Sequence, residues 1–218
     1  TTKLVIDCAK STQFASALML AFSNLPLKFE FINLKASEAY LKMTEAVIKK
    51  TLSVNSYTVP VDFSSLGYPA ALAALLGRVK IANCLEIDPL QADASIVSLL
   101  KEIGASCVFS QEGLEIKKEG QLRPFSFDIS KAPDLFPTLV FLAAHIKGES
   151  TLHKLEVLRF KESDRLLEMG KMMKSFGVSF THDSAIDLIK IQGRENPYPE
   201  LTLHPARDHR IVMAGALF

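Results

Sequence analysis

The sequence predicts an α/β chain of α+β type, built from repeated strand–helix–strand–helix–hairpin units. Three observations predict it. Helices at 14–22, 66–76 and 135–146 are apolar on nearly all sides, and such helices belong inside a core. Between them lie ordinary amphipathic helices, such as 37–51 with Lys42, Lys49 and Lys50 facing out. The chain also repeats itself: Lys101-Glu-Ile-Gly104-Ala-Ser106 returns as Lys174-Ser-Phe-Gly177-Val-Ser179, an offset of 73 that also takes Lys117 to Lys190 and Gly120 to Gly193. Repetition at this scale implies stacked supersecondary units. Three such units enclose their apolar helices within a ring of sheets. That places the helix N-termini at one end: Ser11-Thr12, Ser64-Ser65, Asp134 and Asp208.

In order, residues 2–7 read as a strand and Ser11-Thr12-Gln13 as the cap of helix 14–22. A strand at 27–33, the helix at 37–51 and a strand at 56–61 close the first unit. Pro60-Val-Asp62 is the expected boundary between a domain over 1–59 and one over 60–218. The second unit runs through helix 66–76, stopped at Gly77, strand 79–83, helix 91–103, stopped at Gly104, and a hairpin over 105–118 turning at Gly113. The third runs through helix 135–146, stopped at Gly148, strand 150–157, helix 164–176, stopped at Gly177, and another hairpin. A fourth apolar helix begins at Asp208.

Apolar residues make up 48% of the 218, enough for a full core, and 25 basic against 24 acidic residues give no electrostatic case for nucleic acid or an anionic membrane. Cys8, Cys84 and Cys107 have no paired spacing and read as buried thiols of a reducing compartment. No apolar run reaches membrane-spanning length, so a cytoplasmic protein is expected. The histidines lack ligand spacing, so no metal is expected. The chain lacks an initiator Met and ends on an apolar helical segment, which reads as a fragment of a longer protein.

The chemistry concentrates at Arg159–Leu166, where five of eight residues are charged at a strand-to-helix junction, with Ser163 or Asp164 as the cap. A helix N-terminus carries unsatisfied N–H groups and partial positive charge, and Lys161 and Arg165 add two cations, so the junction suits a phosphate or carboxylate. Glu162 between them is a candidate for proton transfer. Asp208-His209-Arg210 opens the last helix with a cap, a donor and a bidentate anion ligand. Ser11-Thr12-Gln13 offers hydroxyls to an oxyanion. Together these describe a site for a small polyanion, with Asp134 and Glu162 as two carboxylates able to divide base and acid duties.

Lys161-Glu-Ser-Asp-Arg-Leu166 with Asp208-His-Arg210 resembles the 5-enolpyruvylshikimate-3-phosphate synthase family. The likeness extends to Ser11-Thr-Gln-Phe14, Ser37, Tyr40, Asp62 with Ser64-Ser65, Gln91-Ala-Asp93 and Pro133-Asp134, all in the family's order. It implies an inside-out α/β barrel of β-α-β-α-β-β units, with residues 1–59 ending one domain and 60–218 forming most of the other. It also implies transfer of the enolpyruvyl group of phosphoenolpyruvate to the 5-hydroxyl of shikimate 3-phosphate, with small-molecule substrates and a monomeric enzyme. By resemblance, Ser11, Thr12, Gln13 and Ser37 hold shikimate 3-phosphate, and Lys161 and Asp134 meet its ring hydroxyls. Asp134 is the base, and Glu162 the acid toward the methylene. Arg165 and Arg210 bind the phosphoenolpyruvate carboxylate, Gln13 reaches the same substrate, and His209 lies beside its phosphate. Val157 stands where many members have Asn, and Thr12 where a second Ser is commoner. The family's amino-terminal Lys-Ser…Arg segment, Gly-Asn-Ala-Gly-Thr loop and late Lys do not occur here, so this chain alone is expected to be inactive. The rivals are the transferase acting on UDP-N-acetylglucosamine, which lacks the Lys-Glu-Ser-Asp-Arg run, and a non-catalytic binding domain of the same fold.

Overall fold

The structure is a computed structural model and describes residues 2–34, 37–194 and 198–218. Its first unit contains β1 (Thr2–Asp7), α1 (Gln13–Ala21), β2 (Leu27–Ile32) and α2 (Glu38–Thr51). β1 and β2 pair in parallel from Thr2↔Leu27 to Asp7↔Ile32, as a strand–helix–strand crossover requires. Ile6, Cys8, Ala15, Met19 and Leu41 form a small core of their own.

The expected strand at 56–61 is absent, and residues 54–62 are irregular. Pro60 has no N–H to give to a ladder, and a strand needs a partner to satisfy its backbone. Among the described residues β3 (Arg78–Ile81) bonds only β5 (Gly113–Lys117), which also pairs with β4 (Ser106–Ser110). Before β3 runs α3 (Phe63–Leu76), and α4 (Ser95–Ile103) follows it behind a 3-10 turn at Ala92–Ala94.

The third unit repeats this plan. It comprises β6 (Ser126–Asp128), α5 (Phe136–His145), β7 (Gly148–His153), α6 (Arg165–Phe176), β8 (Ser179–Asp183) and β9 (Leu188–Gly193). Its sheet order, β6-β7-β9-β8, contains β7-β9-β8 as the counterpart of β3-β5-β4. The offset of 73 is legible in the backbone: Gly104 and Gly177 both end helices at positive φ, 114° and 68°. In each case the next N–H reaches back five residues, Ala105 to Leu100 and Val178 to Met173, both at 2.8 Å.

α5 is the axis of the larger core, since every residue from Phe136 to Ala144 is buried. α3 and the short α7 (His209–Gly215) both pack against it. The helix starts differ from the sequence reading in detail. Asp62 caps α3, accepting from Ser64 N at 2.9 Å and from the Ser64 and Ser65 hydroxyls, so these serines support the cap rather than provide it. Asp134 lies in a 3-10 turn (Pro133–Leu135) ahead of α5 and caps nothing. β7 ends at His153, and a 3-10 turn over Glu156–Phe160 carries the chain into the charged junction. The N-terminal ends of α3 and α7 do meet, with Tyr68 Oη donating to the Arg210 carbonyl at 3.2 Å.

Candidate active site

Arg165 is the first residue of α6, behind Asp164, whose carboxylate caps the helix by accepting from Leu167 N at 3.0 Å. Its side chain is 1% exposed and meets three carboxylates. Nε donates to Asp208 at 2.9 Å, Nη1 to Asp134 at 2.8 Å and Nη2 to Glu162 at 2.5 Å. Asp208 is buried, caps α7 through Arg210 N at 3.0 Å and accepts from the Ser163 hydroxyl at 3.0 Å. Asp134 is the second hub, with Lys161 Nζ at 3.3 Å and Arg210 Nη2 at 3.0 Å. Arg210 also donates to Ser64 Oγ at 3.0 Å, which ties α7 to the start of α3.

Burial works to raise the Asp134 carboxyl, but Lys161, Arg210 and Arg165 more than offset it and hold it below the usual range. Burial likewise opposes ionisation of Asp208, and its bond to Arg165 overcomes that. Arg165 is itself pushed up despite burial, by Asp208, Asp134 and Glu162. The balance leaves one group short of partners. Among the described residues, Nε and Nη1 of Arg210 are buried without a hydrogen bond. Two buried guanidinium donors are costly to leave empty, and an anion is their natural occupant.

On the far side of Lys161 stands the first unit. Tyr40 of α2 donates its hydroxyl to both oxygens of Asp93, at 2.9 and 3.0 Å, and Lys161 Nζ lies 5.5 Å from the centre of its ring. A cavity of about 60 Å³ is lined by Ser11, Ser37, Val157 and Lys161 among others, so it brings residues of the first unit to the 3-10 turn and the charged junction that follow β7. Thr12 is buried, its hydroxyl 3.5 Å from the Ser37 carbonyl. Ser11 Oγ accepts from Gln13 N at 3.1 Å, and the Gln13 side chain is exposed.

Asp134, Lys161, Glu162, Arg165 and Arg210 therefore form one bonded cluster, with Ser11 and Ser37 near Lys161. Gln13 and His209 are exposed, and among the described residues neither side chain bonds to that cluster. Arg165 has every nitrogen engaged, so a substrate carboxylate reaches it only by displacing or sharing with Glu162 or Asp134. The Asp93–Tyr40 pair was not assigned a role from sequence. Its signal was a lone carboxylate between Ala92 and Ala94 at the start of an apolar helix. Among the described residues no group of His, Cys, Asp or Glu is arranged to hold a metal, and no helix is long and apolar enough to cross a membrane.

Burial, with the charge of Asp134 second, pushes Asp93 up to about 7 against its ordinary 3.8. The Tyr40 hydrogen bond and Arg210 pull the other way, and Asp62 adds to the rise. A folded-state value above the unfolded one means that the folded chain keeps a proton the unfolded chain has lost. The resulting stability is complete below about pH 4 and is lost as the pH rises through about 7. Relative to Asp93→Asn, wild-type stability in urea is expected to fall by as much as about 4 kcal/mol across that window. A flat difference contradicts the placement.

A family model described as EPSP synthase (3-phosphoshikimate 1-carboxyvinyltransferase) matches residues 49–218. The chain belongs to the EPSP synthase family. That match contains Asp134, Lys161, Glu162, Arg165, His209 and Arg210, whereas Ser11, Thr12, Gln13 and Ser37 precede it. Curated relatives named 3-phosphoshikimate 1-carboxyvinyltransferase include one from Syntrophobacter fumaroxidans, 35% identical over 74% of this chain and 38% of its own length. One from Methanococcoides burtonii is 36% identical over 74% of this chain and 37% of its own. The chain thus spans well under half the length of these relatives. Among solved structures, EPSP synthase from Acinetobacter baumannii aligns with TM-score 0.57 and 27% identity, covering 73% of this chain and 39% of that one. The enolpyruvyl transferase NikO from Streptomyces tendae aligns over all of this chain and 57% of its own, with TM-score 0.60. Its 13% identity shows the shared fold alone. That fold is the EPSP synthase-like one, and it takes in the first unit.

Proposed function

We propose that the full-length gene product transfers the enolpyruvyl group of phosphoenolpyruvate to the 5-hydroxyl of shikimate 3-phosphate and releases phosphate. The observation that carries this reading is Arg210, whose buried Nε and Nη1 have no partner among the described residues, at the converging helix N-termini of an EPSP synthase family chain. Relatives that carry the name 3-phosphoshikimate 1-carboxyvinyltransferase support the same assignment.

In this reading Ser11, Thr12, Gln13, Ser37 and Lys161 hold shikimate 3-phosphate. Arg165 and Arg210 receive the carboxylate of phosphoenolpyruvate, Gln13 also reaches that substrate, and His209 lies beside its phosphate. Asp134, kept ionised by its three cations, takes the proton of the 5-hydroxyl as the oxygen bonds to C2 of phosphoenolpyruvate. Glu162 gives a proton to C3, turning the methylene into a methyl group. An anion arriving at Arg165 competes for the guanidinium that Glu162 now occupies, which frees the carboxyl for that task. Glu162, now a carboxylate, then takes a proton back from the methyl group as the C2–O bond to phosphate breaks, which leaves the enol ether and inorganic phosphate carrying the bonding pair. The fixed cations stabilise the anionic intermediate where its charge develops. The substrates are small molecules, and the reading includes a monomeric, cytoplasmic enzyme that uses no metal or organic cofactor.

Residues 1–59 and 60–218 belong to separate domains in this account, and the site lies between them. The experiment that tests it is phosphate release by the full-length gene product supplied with phosphoenolpyruvate. Release is expected only when shikimate 3-phosphate is also present.

A further inference from the structure

Asp93 contributes nothing to the chemistry just proposed, yet it is 5% exposed and spends both carboxylate oxygens on one hydroxyl, that of Tyr40. The two residues are 53 apart in sequence and belong to different units: Tyr40 to α2, Asp93 to the turn that starts α4. The opposite side of the arrangement is Lys161, whose ammonium group faces the Tyr40 ring at 5.5 Å and whose side chain is only 7% exposed. A cation over an aromatic face is attracted to it, and more strongly when water is excluded. The carboxylate holds the ring by its hydroxyl, and the ammonium lies over its face.

We propose that Asp93 is a positioning residue: it anchors the Tyr40 hydroxyl, and through the Tyr40 ring it keeps Lys161 shielded and aimed at Asp134, clasping the first unit to the second at the site. The identity of the substrate rests on the proposed function, but the clasp is a property of the ligand-free protein. Lys161 already contacts Asp134 at 3.3 Å, so a ring that swings away releases the ammonium from one of its two restraints. Without its anchor, the Tyr40 hydroxyl loses its carboxylate partner and keeps the backbone hydrogen bond at Asp134, and its ring samples positions that uncover Lys161.

The test is acylation of lysines in the ligand-free chain by an amine-reactive ester, with the rate at each lysine read by mass spectrometry. Exposed Lys171 and Lys190 serve as references. In Asp93→Ala and in Tyr40→Phe, Lys161 is expected to react about tenfold faster than in wild type, the factor that one net hydrogen bond sets on a two-state equilibrium. The reference lysines are expected to keep their rates. Asp93→Asn retains an acceptor and should recover most of the protection, and the double variant should react no faster than either single one, because both remove the same bond. Tyr40→Phe keeps the ring and the fold, so it remains decisive if Asp93→Ala fails to fold. An unchanged Lys161 rate in Tyr40→Phe overturns the proposal, as does acceleration of all lysines together. Neither outcome depends on which substrate binds, so failure here is distinct from failure of the phosphate-release assay.

Discussion

Replacing Arg165 with methionine is expected to lower the unfolding free energy by about 3–5 kcal/mol, the cost typical of removing one partner from a buried ionic group. The guanidinium is 1% exposed, and methionine fills only part of its volume without satisfying any of the three carboxylates it leaves behind. The losses fall unequally. Glu162 is 41% exposed and turns to water, and Asp134 keeps Lys161 and Arg210. Asp208 has a fully buried side chain and retains only Ser163 and the Arg210 N–H, so the penalty concentrates there. Because Asp208 caps α7, the last helix is the first element expected to loosen. Arg165→Lys keeps the charge but cannot fork to three acceptors, and an intermediate loss is expected. Urea unfolding of the purified chain measures all three. A loss under about 1 kcal/mol, the range of a surface ion pair, contradicts the buried hub.

Glu162→Gln in the full-length gene product is expected to lower kcat about 10²- to 10⁴-fold, the usual contribution of one general acid. The same variant should unfold close to wild type, since its side chain is partly in solvent and glutamine still accepts from Arg165. This separation of activity from stability is what distinguishes Glu162 from Arg165. Steady-state phosphate release checks the first half and urea unfolding the second. Activity within about twofold of wild type removes Glu162 from the acid role.

Local signals carried most of the fold. Asp208 and Asp164 each precede an apolar-periodic run and cap it, and Gly104 and Gly177 stop helices in the left-handed conformation that the repeat implied. Where two local solutions competed, sequence chose wrongly. Ser64 and Ser65 are as good caps as Asp62, and only the geometry shows them donating to it. The run at 56–61 has strand composition, but no neighbour pairs with it and Pro60 withholds a donor.

Site residues were legible where they sit together in the chain, as in Lys161-Glu-Ser-Asp-Arg165. What could not be read was which charge meets which. Arg165 reaches Asp208 across 43 residues and Asp134 across 31, so its role as a saturated hub, and that of Arg210 as the cation with free donors, emerge only from packing. The Tyr40–Asp93 bond spans 53 residues and two units, and nothing within either segment announces it.

The most direct measurement is phosphate release from phosphoenolpyruvate by the full-length gene product, with shikimate 3-phosphate and UDP-N-acetylglucosamine offered separately as acceptors. The account predicts release with shikimate 3-phosphate, and none with the nucleotide sugar or with phosphoenolpyruvate alone. Release with UDP-N-acetylglucosamine, or no release with either acceptor, contradicts it.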